Sequence, residues 1–371
     1  MSAEAAFDPR RHKDVSCYLR RLQRTVGAFD TRIHAADEMY RYDLSLPYRT
    51  PEAAAISYFH VGHSIFRTVE QIVTWRFGGF GAIRDLLDFA SGYGRVTRFL
   101  AGALSPRRVF VADVDSEAVR FQTGAFGVRG ASSVSDPSAF ELDASFDVVL
   151  ASSFFSHLPE ERFEPWLARL HALVAPGGLL IFSVHGMRLL GSSETDASGI
   201  VYRPTSETTR LDPLEYGTSY VSPEFVRSAV GGVTEGEGRL FEFPFGLGSL
   251  QDLYVLVRPP LPTRKKLEVH RAPLGALDRS AIEGGSVSLE GWAEGERDER
   301  PPDVSLLHGD SVADLSAGFG ARGERRRWRF DFPVSAVSPD EVVRIEAESA
   351  RGHSGILVLG TLGPYLPPAA A

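Results

Sequence analysis

The chain contains a single cysteine, Cys17, among 371 residues, so no disulfide can form within it. Because exported proteins commonly rely on disulfides, this scarcity favours a reducing compartment, and we expect a cytoplasmic protein. No apolar run approaches the roughly 20 residues that a membrane-spanning helix needs. The first residues also lack the apolar segment of a secretory signal. The sequence therefore predicts neither a membrane span nor a signal peptide.

An excess of positive charge is also lacking, since the formal net charge is −8. Long nucleic acids prefer basic surfaces, so no nucleic-acid partner is predicted. Lysine occurs three times, and the basic run at 324–330 is expected to form the solvated face of a strand. Histidine and cysteine are not clustered, and the carboxylates lack the spacing of metal ligands, so no metal site is predicted.

The hydrophobic pattern changes twice along the chain and indicates three regions. Apolar residues at helical spacing dominate residues 1–80, which we expect to form a helical cap. Residues 81–258 alternate short apolar runs with helical stripes, which is typical of βαβ units and a parallel sheet. Beyond a proline-rich linker at 258–262, apolar residues alternate with a period of two, which predicts a β-sandwich at 265–364. The expected class is α/β and Rossmann-like, followed by an all-β domain.

The middle region can be divided further. Strands are predicted at 83–90, 108–112, 131–134, 146–152, 179–184 and 251–257, and helices at 96–104, 116–126, 163–174 and after Ser222, which precedes a proline as an N-cap residue does. Pro176-Gly177-Gly178 is expected to end the third of these helices. The polar stretch 186–221 matches no period and is expected to be a functional loop.

A glycine turn follows the first of these strands, in the sequence Asp88-Phe-Ala-Ser-Gly92-Tyr-Gly94. Glycine lets the backbone turn sharply and come close to a ligand. Asp113 ends the next strand, 21 positions after Gly92, where a Rossmann-like site needs a carboxylate for ribose. Thr97 occupies the third glycine position of a nicotinamide site, so a pyrophosphate is not favoured. A ligand with an α-amino group would suit Asp88.

Residues 86–100 resemble the first motif of the class I S-adenosylmethionine-dependent methyltransferases. Residues 111–118 resemble the second motif, 146–158 the fourth strand, and 173–181 the turn into the fifth. The match runs over about 84–257 in the order and spacing of the family. The resemblance implies an enzyme with S-adenosylmethionine as cofactor. Residues 251–254 and 216–218 further resemble a bacterial small-molecule and glycan subgroup, which implies that a hydroxyl of a small molecule or a glycan is methylated.

The resemblance also implies which residues bind the cofactor. The turn that begins at Asp88 is expected to hold the methionine end, and Asp113 the ribose hydroxyls. The family usually has glycine where this chain has Ala90, and a methyl group is expected to be tolerated there. Asp136 is either an adenine ligand or an ordinary turn residue. The predicted cofactor residues are Asp88, Ala90, Gly92, Gly94, Asp113, Val114, Asp136 and Ser152.

A hydroxyl acceptor needs a base that removes its proton. His157 follows the fourth predicted strand and His185 ends the fifth, so both should lie at the sheet edge where ligands bind. Each is a candidate base, and each is also compatible with a structural role, as expected for His171 within a helix. The polar segment 203–220 is expected to fold over the acceptor. Its predicted acceptor-binding residues are Glu207, Glu215, Tyr216 and Tyr220.

Other functions remain compatible with the sequence. Transfer to nitrogen or carbon is not distinguished from transfer to oxygen. A Rossmann-like scaffold could instead carry a carbohydrate-recognition or oligomerisation module. In the β-domain the carboxylates alternate with apolar residues, as solvent-facing strand positions do, and a packing or homodimer role is favoured over glycan recognition through Trp292 or Trp328.

We expect Asp113→Ala and Gly92→Val each to weaken the binding of S-adenosylmethionine. Asp113→Ala removes the carboxylate that would accept up to two hydrogen bonds from the ribose hydroxyls, worth about 1.5–3 kcal/mol. Valine at position 92 puts a branched side chain where the backbone must approach the ligand. Isothermal titration calorimetry measures both affinities, and unchanged affinity in both variants would contradict the assignment of the motif.

Overall fold

The computed structural model describes residues 7–46, 49–190, 198–206, 208, 211–248, 250–263, 266–296, 300–308, 311–313, 319–322, 325–337 and 341–362. These residues form two compact units. The larger unit contains residues 28–30 and 65–269, and the smaller contains residues 7–27, 31–64 and 270–362. Within the described ranges, no helix is long and apolar enough to cross a membrane.

The helices and strands are numbered in chain order. The α-helices are α1 (Lys13–Val26), α2 (Glu38–Ser45), α3 (Pro51–Phe77), α4 (Thr97–Leu104), α5 (Ser116–Phe126), α6 (Glu160–Ala172) and α7 (Pro223–Thr234). The strands of the larger unit are β1 (Leu86–Phe89), β2 (Val109–Asp113), β3 (Arg129–Ser132), β4 (Phe146–Ala151), β5 (Val174–Gly186), β6 (Ile200–Arg203), β7 (Thr218–Val221), β8 (Arg239–Leu247) and β9 (Gln251–Val257). Those of the smaller unit are β10 (Leu274–Glu283), β11 (Ser286–Glu294), β12 (Asp303–His308), β13 (Ser311–Ala313), β14 (Phe319–Arg322), β15 (Arg325–Pro333), β16 (Val343–Glu348) and β17 (Ser354–Gly360).

The larger unit is built on a mixed sheet in the order β3-β2-β1-β4-β5-β9-β8. Strands β1 to β5 are parallel, β9 is antiparallel to β5, and β8 is antiparallel to β9. Strands β6 and β7 form an antiparallel hairpin, and β7 pairs in parallel with the end of β5, where His185 lies opposite Tyr220. The Rossmann-like class predicted from the sequence is confirmed.

The central strands are buried on both faces, which explains why they are apolar throughout rather than alternating. All four residues of β1 are buried. On one face, α6 places Trp166 against Phe89, with ring centroids 5.1 Å apart, and Phe163 against Phe155, at 4.8 Å. Phe155 also contacts Phe182 of β5 at 5.1 Å. This aromatic layer holds α6 on the strands whose carboxyl ends carry the candidate site.

Most predicted elements are present, with ends shifted by a few residues. The helix at 116–126 and the strand at 251–257 are confirmed as α5 and β9, and Ser222 Oγ caps α7 by accepting from the Phe225 N–H at 3.1 Å. The expectation for Pro176-Gly177-Gly178 was wrong, because α6 ends earlier and these residues lie inside β5. Strand β8 was not predicted, although Phe241, Phe243 and Phe245 alternate along it with a period of two.

The smaller unit contains a β-sandwich of two antiparallel four-stranded sheets, β10-β11-β15-β14 and β13-β12-β16-β17. The predicted all-β fold is therefore confirmed. In the basic run, Arg327 is exposed, whereas Trp328 and Phe330 are buried in the core between the sheets. Trp328 is only 3% exposed, which agrees with the favoured packing role and excludes this residue from the alternative of glycan recognition. Trp292 is half-buried, and its role remains a prediction.

Strand β16 uses both of its faces. Alternate residues enter the sandwich core, while Arg344 and Glu346 are buried on the other face, where they form an ion pair. The Arg344 guanidinium lies 4.8 Å from the centre of the Tyr18 ring of α1, and Arg21 Nη1 is 3.6 Å from Glu346 Oε2. The expectation that the carboxylates of this domain face solvent was therefore wrong for Glu346, because α1 covers this face of the sheet. The homodimer and the exact domain boundaries remain predictions.

Ala90 follows β1 with φ of +54°, in the left-handed region that an L-residue enters at a cost of about 1–2 kcal/mol. Glycine inside a helix costs about 1 kcal/mol relative to alanine, so we expect Ala90→Gly to leave the protein more stable than Ala101→Gly by about 2–3 kcal/mol. Ala101 is the matched control, since it lies inside α4 and both changes remove one methyl group. Calorimetric unfolding of the two variants measures the difference. Equal destabilisation would show that position 90 is not strained.

Candidate functional site

The turn between β1 and α4 contains two glycines that are needed for different reasons. Both have positive φ, +55° at Gly92 and +82° at Gly94. A Cβ atom at Gly94 would overlap the Phe126 ring and lie 2.8 Å from Gln122 Oε1, so packing against α5 excludes a side chain there. A Cβ atom at Gly92 would meet nothing within 4 Å. Gly92 therefore borders open space, as a backbone that approaches a ligand requires.

Gln122 of α5 holds this turn in place. Its side chain is fully buried, and Nε2 donates to Ser91 Oγ at 2.8 Å and to the Gly92 carbonyl oxygen at 2.7 Å. Sequence reasoning missed this residue. The signal that could have revealed it is an amide on the face of α5 that otherwise carries Ala118, Val119 and Phe126.

Asp113 joins the turn after β1 to the turn after β2. Its Oδ2 accepts from the Gly92 N–H at 2.8 Å, and its Oδ1 accepts from the Asp115 N–H at 2.9 Å. Asp115 in turn caps α5 by accepting from the Glu117 N–H at 2.9 Å. Asp113 thus lies where the sequence placed it, against the glycine turn.

Asp88 lies on β1 beneath the same turn and is 3% exposed. Its Oδ2 accepts from Thr97 Oγ1 at 2.6 Å. Burial raises the pKa of Asp88 from 3.8 to about 7; the hydrogen bond from Thr97 opposes this rise, and the charge of Asp113 adds to it. Thr97, at the third glycine position, therefore hydrogen-bonds to Asp88, a contact that the sequence analysis did not predict.

The remaining predicted cofactor residues follow β2, β3 and β4. Val114 and Val134 are each 40% exposed, although both are apolar. Asp136 is exposed, and its Oδ1 accepts from the Ser138 N–H at 2.9 Å and from Ser138 Oγ at 2.8 Å, which lowers its pKa. Asp136 is thus a turn residue in the structure, and its adenine role remains a prediction. Ser152 is half-buried directly after β4.

His157 is buried after β4 and has a defined proton position. Its Nδ1 lies 2.6 Å from the Gly217 carbonyl oxygen. Because a carbonyl oxygen can only accept, the proton is assigned to Nδ1, and in the neutral ring Nε2 is then the basic nitrogen. A Cβ atom at Gly217 would overlap the Arg203 carbonyl oxygen, so this approach of the backbone to His157 requires glycine.

The two candidate bases lie next to each other. The ring centroids of His157 and His185 are 5.8 Å apart. Tyr216 stacks on His157 at 4.7 Å with an interplanar angle of 17°, and Tyr220 lies 5.8 Å from His185. Two of the four predicted acceptor-binding residues are thus brought to the histidine pair.

The other two predicted acceptor-binding residues are Glu215 and Glu207. Glu215 Oε1 accepts from Arg162 Nη2 of α6 at 2.7 Å, so its carboxylate is engaged in an ion pair. Glu207 lies outside the described residues. Among those that are described, no group of three or more histidine, cysteine, aspartate or glutamate side chains could hold a metal ion.

The hairpin of β6 and β7 explains how these residues meet. Its second strand is attached to the turn after β4 by the Gly217 N–H, which donates to the His157 carbonyl at 2.9 Å, and by the Ser219 N–H, which donates to the Ser156 carbonyl at 2.8 Å. Part of the stretch expected to be a loop is therefore sheet, and it covers the carboxyl ends of β4 and β5.

Comparison with known proteins points to one class. Residues 87–180 match the model of a family described as a methyltransferase domain. No curated protein is significantly similar to the chain in sequence. Among solved structures, the DhpI–SAM–HEP complex is 20% identical, with coverage of 67% of this chain and 99% of that one and a TM-score of 0.41. The glycopeptide N-methyltransferase MtfA with S-adenosyl-L-homocysteine is 19% identical, with coverage of 47% and 81% and a TM-score of 0.35.

An O-methyltransferase family protein from Burkholderia thailandensis is 16% identical, with coverage of 66% and 71% and a TM-score of 0.37. At these TM-scores the structural likenesses support no inference about the acceptor. The strand order and the family match define a methyltransferase domain of the class I architecture. The match to a methyltransferase domain over residues 87–180 agrees with the sequence motifs, which predicted S-adenosylmethionine as the cofactor.

If Asp88 meets the α-amino end of the cofactor, affinity should depend on pH. Only the ionised carboxylate attracts an ammonium group, and its pKa is raised to about 7. We expect the affinity for S-adenosylmethionine to rise roughly 25-fold between about pH 5.5 and about pH 7.5, as the ionised form of Asp88 becomes populated. Calorimetry on the wild type and on Asp88→Asn, which cannot titrate, measures this. A pH dependence that persists in Asp88→Asn would assign it to another group.

The raised pKa of Asp88 also makes the stability of the cofactor-free protein depend on pH, in the direction opposite to that of the affinity. Without cofactor, the folded state binds the Asp88 proton more tightly than the unfolded state does, because its pKa is raised from 3.8 to about 7. The free energy of unfolding should therefore fall as the pH rises from about 4 to about 7, and Asp88→Asn should remove that part of the decline.

Proposed function

We propose that the protein transfers the methyl group of S-adenosylmethionine to a hydroxyl of a small molecule or a glycan, with His157 as the general base. The observation that supports this proposal most directly is the hydrogen bond from His157 Nδ1 to the Gly217 carbonyl at 2.6 Å. It makes Nε2 the basic nitrogen of a neutral ring at the sheet edge where ligands bind. Stacking on Tyr216 at 4.7 Å keeps the plane of the ring fixed.

The residues around the glycine turn fit S-adenosylmethionine by their chemistry. We assign the α-amino group to Asp88 and the ribose hydroxyls to the Asp113 carboxylate, which is held against the glycine turn by the Gly92 N–H and against the turn after β2 by the Asp115 N–H. The exposed side chains of Val114 and Val134 offer an apolar surface to adenine. When bound, the cofactor supplies an electrophilic methyl group on a sulfonium centre.

The protein's own residues then bind, orient and deprotonate the acceptor. Tyr216 and Tyr220 provide aromatic rings at the histidine pair, and aromatic rings pack well against the apolar faces of sugars and phenols. His157 Nε2 takes the hydroxyl proton as the oxygen attacks. A neutral amine acceptor would depend less on such a base, so dependence on His157 separates O-transfer from N-transfer.

The test is transfer of a labelled methyl group to a panel of sugars and phenols. We expect His157→Ala to lower kcat by about 10² to 10⁴ and to leave the Kd of S-adenosylmethionine nearly unchanged. His171→Ala is the matched control, because this half-buried histidine lies on α6 outside the cluster and should keep full turnover. Full activity of both His157→Ala and His185→Ala on the true acceptor would mean that alignment alone drives the reaction. Labelling of amines and of no hydroxyl compound would refute the proposed acceptor class.

A further inference from the structure

Gln251, the first residue of β9, connects the two sides of the site. Its Oε1 accepts from Ser183 Oγ at 2.6 Å and from Ser153 Oγ at 3.1 Å. Its Nε2 lies 3.2 Å from His185 Nε2. Ser153 has φ of +58° and directly follows Ser152, a predicted cofactor residue. One amide side chain therefore links the turn after β4 to a histidine of the candidate base pair.

The amide oxygen of Gln251 fixes the hydrogen-bond directions in this group, because it can only accept. Ser183 Oγ and Ser153 Oγ therefore both donate to it, and Ser183 Oγ also accepts from the Ser153 N–H at 2.9 Å. The NH₂ group therefore faces His185 and donates to Nε2. Because Nε2 accepts, a neutral His185 carries its proton on Nδ1.

We propose that Gln251 is a positioning residue that holds His185 as a neutral ring with an unprotonated Nε2. This inference deepens the proposed function and rests on it for the role of the neighbouring His157. The two histidines are then not interchangeable, since Gln251 occupies Nε2 of His185, whereas His157 is held through Nδ1. A neutral His185 also favours proton uptake by His157, because a second positive ring 5.8 Å away would oppose it.

Titratable and charged groups face this part of the site from three elements. His157 faces it from the turn after β4, and Tyr220 faces it from β7. The Arg203 guanidinium lies 5.5 Å from the centre of the Tyr220 ring. The neighbouring carboxylate of Asp252 is paired with Arg188 Nη2, at 2.7 Å, on the opposite side of β9.

Gln251→Glu tests the proposal, because glutamate keeps the shape and the two serine contacts but replaces the NH₂ donor with a carboxylate oxygen. In the wild type, the ¹⁵N chemical shift of His185, assigned with His185→Gln, should mark Nε2 as unprotonated. In Gln251→Glu, we expect a proton on Nε2 and a titration midpoint of His185 that is higher by about one pH unit or more. Gln71→Glu on α3 adds the same charge outside the cluster and should leave both signals unchanged.

Ser183→Ala provides a second, uncharged variant, which removes the donor that orients the amide, so His185 should then show a mixture of tautomers. With an active acceptor, the rising limb of the pH–rate profile should move to higher pH in Gln251→Glu, which a purely structural loss would not produce.

A protonated Nε2 in the wild type, or an unchanged His185 titration in Gln251→Glu, would overturn the inference. The spectra need no acceptor, so failure to methylate any hydroxyl would refute only the proposed function.

Discussion

Parallel pairing of β1 with β2 on one side and with β4 on the other is the constraint on which the site depends. Because parallel strands end at the same edge, the residues that follow β1, β2, β4 and β5 are brought together although they are far apart in sequence. The Asp113 carboxylate then connects two of these ends through the Gly92 and Asp115 N–H groups. The geometry of the cofactor edge thus results from backbone hydrogen bonds as much as from side chains.

The acceptor side of the site is formed differently. There, β7 extends the sheet beyond β5, and the backbone of Gly217 both donates to and accepts from His157. The catalytic proposal therefore depends on a short hairpin, and its glycine has no space for a side chain. A change in the hairpin that leaves every histidine intact could still displace the base, because the contact that sets its tautomer is made by backbone.

The smaller unit shows that one strand can serve two interfaces. Residues of β16 alternate between the sandwich core and a buried face against α1, where the Arg344–Glu346 ion pair lies near Tyr18. Buried ion pairs seldom add much stability, but removal of one partner leaves an unpaired charge. The helices that open the chain and the strands that close it therefore form a common core within this unit.

The local sequence was sufficient to predict the parallel strands β1 to β5 and the helices between them, because the central strands are buried on both faces and appear as uninterrupted apolar runs. It also determined Asp88, Gly92 and Asp113, because strand ends and glycine turns are local features. The contacts of Gln122, Thr97 and Gln251 were not predicted, because they depend on partners 9 to 98 positions away. Nor could the sequence show that Trp328 and Glu346 face inward. The tertiary structure decided these points, because a polar or aromatic side chain on one strand or helix reveals its orientation only when the opposing element is in place.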